Sequence, residues 1–121
     1  MNAAQVDLQQ IRIKHILFKS KVRSVLYGGA LDSVFFSDAG PISQWFEQVG
    51  NLKYAREPEL YTLQKTHNEL LSYAQLLFSL YRNGNIDQAH AGIKDLEKLS
   101  DRFQEVLMQL EKRLALRPDL V

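Results

Sequence analysis

The chain of 121 residues contains no cysteine. Disulfide bonds, thiolate metal sites, iron–sulfur clusters and thiol redox switching are therefore excluded. The formal net charge is only +1, so no electrostatic bias toward nucleic acid or an anionic membrane surface follows. The sequence also lacks an apolar run of the roughly 20 residues that span a bilayer, and its N-terminus lacks the features of a secretory signal. We therefore predict a cytoplasmic protein with no nucleic-acid or membrane partner.

Catalytic motifs are also missing. The sequence has no H-E-x-x-H, no G-x-S-x-G and no glycine-rich loop of the kind that cradles phosphate. The paired carboxylates of Glu57 and Glu59 flank Pro58, where a helix start favours negative charge. The sequence therefore predicts a protein that is not an enzyme.

Apolar residues recur at alternating steps of three and four in three long segments, which is typical of helices packed against one another. The segments run from Ala3 to Leu26, from Leu60 to Tyr81 and from Ile86 to Leu116. Glycines at 28–29 and an Asn-Gly-Asn turn at 83–85 separate them, and Pro118 closes the last one. We predict an all-α, antiparallel up-and-down bundle of about four helices, three of them long, forming one domain over residues 1–121.

The region between the first two long segments is predicted to cover the core. Residues 30–39 are too apolar for a free linker, and a short helix is one option for them. A further short helix is expected to begin at Pro41 and to end at Gly50-Asn51. Its Trp45 is predicted to plug one end of the bundle, with stacking on a ligand as the less favoured alternative.

Each long segment carries one polar residue within its apolar stripe: His15, His67 and Ser100. Three aligned stripes would bring these side chains together in one core layer. We favour a buried hydrogen-bonded cluster in which the two imidazoles pair. The alternatives are a metal site completed by the carboxylate of Asp38 or Glu69, and a small-ligand pocket around the histidines.

Three stretches together resemble a known family. They are IRIKHILFKSKVRSVL, GPISQWFEQVG and PELYTLQKTHNELL, and in this order and spacing they are similar to the CZB domain, the chemoreceptor zinc-binding domain of bacterial signalling proteins. The resemblance extends from about Ile11 to the last helix. It implies a helical bundle that holds zinc through three histidines and one cysteine, often dimerises, and is usually attached to chemoreceptors or diguanylate cyclases.

Only part of the ligand set that the resemblance implies is present. His15 and His67 match two of the family's histidines, whereas Gly40 stands at the cysteine position and Leu71 at the last histidine position. In the motif between them, Ile42 and Trp45 match the family's leucine and tryptophan. Loss of a thiolate and an imidazole removes most of the binding energy of a structural zinc site. We therefore predict a degenerate bundle without a cofactor, with zinc as the alternative.

These observations predict a non-enzymatic signalling or regulatory interaction module, associated with chemotaxis or cyclic-di-GMP signalling. Its expected partner is a signalling protein of chemoreceptor or diguanylate cyclase type, or a second copy in a homodimer. Exposed aromatics such as Tyr54, Tyr61 or Tyr73 are candidates for the interface. The alternatives are a zinc sensor with a site rebuilt from His15, His67 and a carboxylate, and a ligand-binding bundle. The initial Met and the length favour a free-standing protein.

Overall fold

A computed structural model describes residues 2–117 of the chain. Its helices are α1 (Ala3–Leu26), α2 (Pro41–Trp45), a π-helix (Phe46–Gly50), α3 (Asn51–Lys53), α4 (Pro58–Arg82), α5 (Ile86–Ala91) and α6 (Ile93–Ala115). No strand occurs within the described span. The predicted all-α bundle with three long helices is confirmed.

The bounds of α1 follow from its capping residues. The Asn2 side chain accepts a hydrogen bond from the backbone N–H of Gln5 (2.8 Å), and the backbone N–H of Asn2 donates to the Gln5 side chain (3.0 Å). This reciprocal pair satisfies two donors that a helix start leaves free. After the helix, Gly28 takes a φ of +101°, which favours glycine. The predicted stripe of α1 is buried along its whole length: Leu8, Ile11, His15, Phe18, Val22 and Val25.

Contacts between the long helices fix their directions. Helix α1 is antiparallel to α6, since Arg12 pairs with Glu111 near one end and Arg23 with Glu97 near the other. Helix α4 is also antiparallel to α6, and its Glu59 pairs with Arg113 (2.7 Å). Helices α1 and α4 consequently run in the same direction. The shorter elements between them return the chain to the starting end of the bundle, in the place of a second descending helix.

The connecting region differs from its prediction in two ways. Residues 30–39 form turns and no helix. The helical segment that begins at Pro41 also continues beyond Gly50-Asn51, because Gly50 has helical angles (φ −59°, ψ −56°) and no helix-ending conformation. A Cβ at Gly50 would lie 2.8 Å from the Trp45 ring. Glycine at this position therefore permits close packing against the indole, and the chain continues through the π-helix into α3.

The last predicted helix is divided at Gly92 into α5 and α6. A Cβ at Gly92 would collide with the side chain of Leu77 on α4, so glycine at the break permits close packing of the two chain segments. Ile86, the first residue of the predicted apolar segment, lies on the short α5 and is 43% exposed. The predicted closing residue, Pro118, lies outside the described residues.

Trp45 closes the end of the bundle where α1 begins. Its indole is 3% exposed and donates a hydrogen bond to the backbone carbonyl of Asp7 (3.0 Å). The Asp7 carboxylate accepts further hydrogen bonds from the Tyr54 hydroxyl (2.6 Å) and the Lys53 ammonium (3.0 Å). These bonds fix the connecting region to α1, and the predicted plug is confirmed.

Within residues 2–117, every helix is too short or too polar to span a bilayer.

Candidate functional site

His15 and Ser100 meet in the core, as the alignment of the polar positions predicts. His15 Nε2 and Ser100 Oγ lie 2.7 Å apart in a buried hydrogen bond between α1 and α6. The imidazole also stacks on the ring of Phe103, with centroids 4.3 Å apart and planes inclined by 13°. The hydroxyl satisfies one ring nitrogen, whereas His15 Nδ1 is buried without a hydrogen-bond partner among residues 2–117.

His67 does not pair with His15, so this part of the prediction is wrong. Its ring lies among phenyl groups: Phe18 meets it edge-on at 5.7 Å and Phe46 stacks on it at 6.2 Å. His67 Nδ1 is also buried, and no described residue forms a hydrogen bond with it. Instead, His15 Nε2 pairs with the Ser100 hydroxyl, and the ring of Phe18 contacts both imidazoles.

Both histidines are held in the neutral form. Burial lowers the pKa of His67 from 6.5 to about 4. Burial is also the main cause that lowers the pKa of His15 to about 4, with further lowering by the charges of Lys19 and His67 and a small opposing effect of Glu97. A charged imidazole loses its hydration in such a site, and this loss favours the neutral form.

The described residues do not bring together three His, Cys, Asp or Glu side chains in an arrangement that could hold a metal ion. The two proposed carboxylates lie apart from the histidines: Asp38 is exposed, and Glu69 borders a shallow surface beside Asn68. The histidines therefore offer two donors where a structural zinc site uses four. One of the two histidines already contacts Ser100 through Nε2, so the residues present do not fit a zinc ion.

The positions where the ligands of the resembling family are missing have a packing role here. Gly40 lies in a tight turn, its N–H donates to the Ser37 carbonyl (2.9 Å), and a Cβ there would collide with the carbonyl of Phe35. A cysteine does not fit this turn unless the chain moves. Leu71 packs against the edge of the core. Ile42 is buried like Trp45, with 3% of its surface exposed.

Helix α1 has a second, exposed face without charged residues that was not predicted from the sequence. We call it the outer face of α1, and it comprises Val6, Gln9, Gln10, Ile13, Ile16, Leu17, Ser20 and Ser24. All are exposed and none is charged; Ile13 is 58% and Ile16 56% exposed. The signal was available, because positions 6, 10, 13, 17, 20 and 24 repeat the steps of three and four on the side opposite the buried stripe.

The aromatic residues predicted for an interface differ in exposure. Tyr61 is 74% exposed on α4, so it is accessible as predicted. Tyr54 is 3% exposed and bound to Asp7, so its assignment to an exposed interface is wrong. Tyr73 is half-buried and packs against the core. The sequence pattern could not show that the hydroxyl of Tyr54 is buried and bonded to Asp7.

Comparison with known proteins adds no assignment: no protein-family model, no curated protein and no solved structure matches the chain. The likeness to the CZB family consequently rests on the quoted stretches and stays a prediction. Within the structure, the outer face of α1 is the feature best suited to an interaction, while the histidine layer is a packed part of the core.

Proposed function

We propose that this chain is a non-enzymatic regulatory module, similar to a CZB bundle, that acts by binding a signalling protein through the outer face of α1. The observation that carries the proposal is the exposure of Val6, Ile13, Ile16 and Leu17 on a single helix. Helices α4 and α6 are of similar length, yet α4 exposes only Tyr61 and Leu76 of this kind and α6 exposes Met108. Apolar side chains grouped in this way are typical of a binding surface.

The other side of α1 supports the same proposal. The buried stripe of the helix, from Leu8 to Val25, already supplies its contacts with the rest of the bundle. The outer apolar side chains are therefore not required for packing within the monomer. When a partner covers these exposed apolar side chains, removal of their surface from water contributes about 25 cal/mol of binding free energy per Å² buried.

The signalling role is supported by the resemblance to the CZB domain. A partner of chemoreceptor or diguanylate cyclase type follows from that resemblance. The module works without zinc in this proposal, since Gly40 and Leu71 replace two ligands and Ser100 contacts one of the remaining histidines. Contact with a partner helix, and not metal binding, then carries the signal.

Site-specific photo-cross-linking in the native cell tests the proposal. A photoreactive amino acid is placed at Leu17 on the outer face and, as a matched control, at Glu105, which is exposed on α6. We expect a discrete adduct from position 17 that is absent from position 105, with a signalling protein identified in it by mass spectrometry. Identical adduct patterns from both positions, or an adduct containing only metabolic enzymes, would contradict the proposal.

A further inference from the structure

The outer face of α1 has the register of a coiled-coil seam. Val6, Ile13 and Ser20 recur every seven residues, as d positions do, and Gln10, Leu17 and Ser24 take the a positions. Lys14 and Lys21 then fall at the e positions that border the seam. The e and g positions of such a seam decide partner choice, because their charges meet those of the facing helix.

The charges beside this seam are of one sign. The basic residues of α1 are Arg12, Lys14, Lys19, Lys21 and Arg23, and its only acidic residue, Asp7, is buried. On the border with α6, Arg12 pairs with Glu111, and both Lys19 (2.8 Å) and Arg23 (2.6 Å) pair with Glu97. On the opposite border, neither Lys14 nor Lys21 has a carboxylate within ion-pair distance among residues 2–117, although the Lys21 ammonium lies over the Phe35 ring, 4.5 Å from its centroid.

A second copy of α1 does not complement these charges. In an antiparallel pair, Lys14 and Lys21 of one copy face the same two lysines of the other. In a parallel pair in register, Lys14 faces Gln9 and Lys21 faces Ile16, so neither lysine meets a carboxylate. Like charges cost free energy in the antiparallel pair, and in neither arrangement does α1 offer an exposed carboxylate to the lysines. The occupant must therefore bring the negative charge itself.

We propose that the outer face of α1 binds an amphipathic helix of a partner protein whose apolar stripe is bordered by carboxylates that pair with Lys14 and Lys21. The proposal rests on the proposed function and names the chemistry of its partner. The apolar part of the seam supplies most of the affinity, and the two lysines select among helices of similar shape.

Binding of two synthetic peptides to the purified full chain tests this proposal. Both peptides are three-heptad helices with leucine at a and d; one carries glutamate at e and g, and the other carries lysine. Fluorescence anisotropy at low salt is expected to show about tenfold tighter binding of the glutamate peptide. The preference should shrink as salt is added, because the lysines are at the surface.

Variants separate the seam from its border. Ile13→Glu is expected to weaken binding of the glutamate peptide at least tenfold. Tyr61→Glu introduces the same charge at an exposed position of α4 and should leave the affinity unchanged. The double variant Lys14→Glu/Lys21→Glu should abolish or reverse the preference between peptides. Lys65→Glu/Lys94→Glu, at exposed positions on α4 and α6, should preserve it. Circular dichroism establishes that each variant is folded.

Three results would overturn the proposal. They are equal affinity for the two peptides, binding of neither peptide, and a dimer in sedimentation experiments that Ile13→Glu dissociates and that excludes the glutamate peptide. The cross-link from position 17 tests the proposed function independently. An adduct with a signalling protein, together with equal peptide affinities, would leave the interaction module in place and remove only the acidic helix.

Discussion

Acidification from about pH 7 to 5 is expected to destabilise the bundle through His15 and His67. Both imidazoles are buried and have a pKa lowered from 6.5 to about 4. In the unfolded chain both take up protons near the ordinary value, whereas in the folded protein they do not. The unfolded state therefore binds more protons throughout this interval, and the free energy of unfolding falls as the pH falls.

The size of the effect follows from the two pKa values. With a pKa near 4 folded and near 6.5 unfolded, each histidine removes about 2 kcal/mol of stability between pH 7 and 5. Two histidines together remove about 4 kcal/mol, a large part of the roughly 5–15 kcal/mol that stabilises a small domain. The loss ends near the folded pKa of about 4, where the native imidazoles also become charged.

Thermal unfolding followed by circular dichroism at pH 7, 6 and 5 measures this loss. For a domain of this size the melting temperature is expected to fall by about 10–15 °C. The carboxylates of Glu59 and Glu97 do not account for a fall in this interval. Pairing with Arg113 lowers the pKa of Glu59, and pairing with Lys19 lowers that of Glu97, so both titrate at more acidic pH.

Single substitutions assign the effect to its source. His67→Phe, which suits the surrounding phenyl rings, should remove about half of the pH dependence. His90→Gln serves as the matched control, because His90 lies outside the core layer, stacks on Tyr27 and contacts the carbonyl of Leu26. A melting temperature that is flat between pH 7 and 5, or a slope that persists in His67→Phe and disappears in His90→Gln, would refute the reasoning.

Three further substitutions test the core and the two faces of α1. Ser100→Ala leaves His15 Nε2 without its partner and should cost about 1–3 kcal/mol in urea unfolding; a neutral result would contradict the hydrogen bond. Gly40→Cys should cost about 1–3 kcal/mol, since its Cβ collides with the turn, and added zinc should not restore the melting temperature. Ile11→Ala should cost about 2–5 kcal/mol, whereas Ile13→Ala should stay within about 0.5 kcal/mol; equal losses would contradict the difference in burial.

Periodicity predicted the long helices well. The bounds of α1 agree with the prediction at both ends, and α4 begins at Pro58 and ends before the Asn-Gly-Asn turn as expected. Local sequence determines these features, because caps, prolines and turn glycines act over a few residues. The roles of Gly50 and Gly92 were harder to predict. Each glycine allows close contact with one particular side chain, Trp45 or Leu77, which the spacing of apolar residues does not identify.

For the candidate site, the sequence predicted which stripes face one another but not all the contacts that their side chains make. Spacing placed His15 and Ser100 in facing stripes, and the structure brings them to 2.7 Å. Spacing could not show that His67 would contact Phe18 and Phe46 and would not pair with His15, because rotation of each helix about its axis decides which side chains meet. The outer face of α1 was not predicted, although its spacing is as regular as that of the buried stripe.

The two faces of α1 have different physical explanations. Ile11 and Ile13 are two residues apart, yet one is 0% and the other 58% exposed. Folding accounts for the first, since its burial contributes free energy within the monomer. It does not account for the second, which a polar residue could replace at little cost in stability. In the interaction that we propose, a partner helix covers this apolar face, and its carboxylates pair with Lys14 and Lys21 at the border.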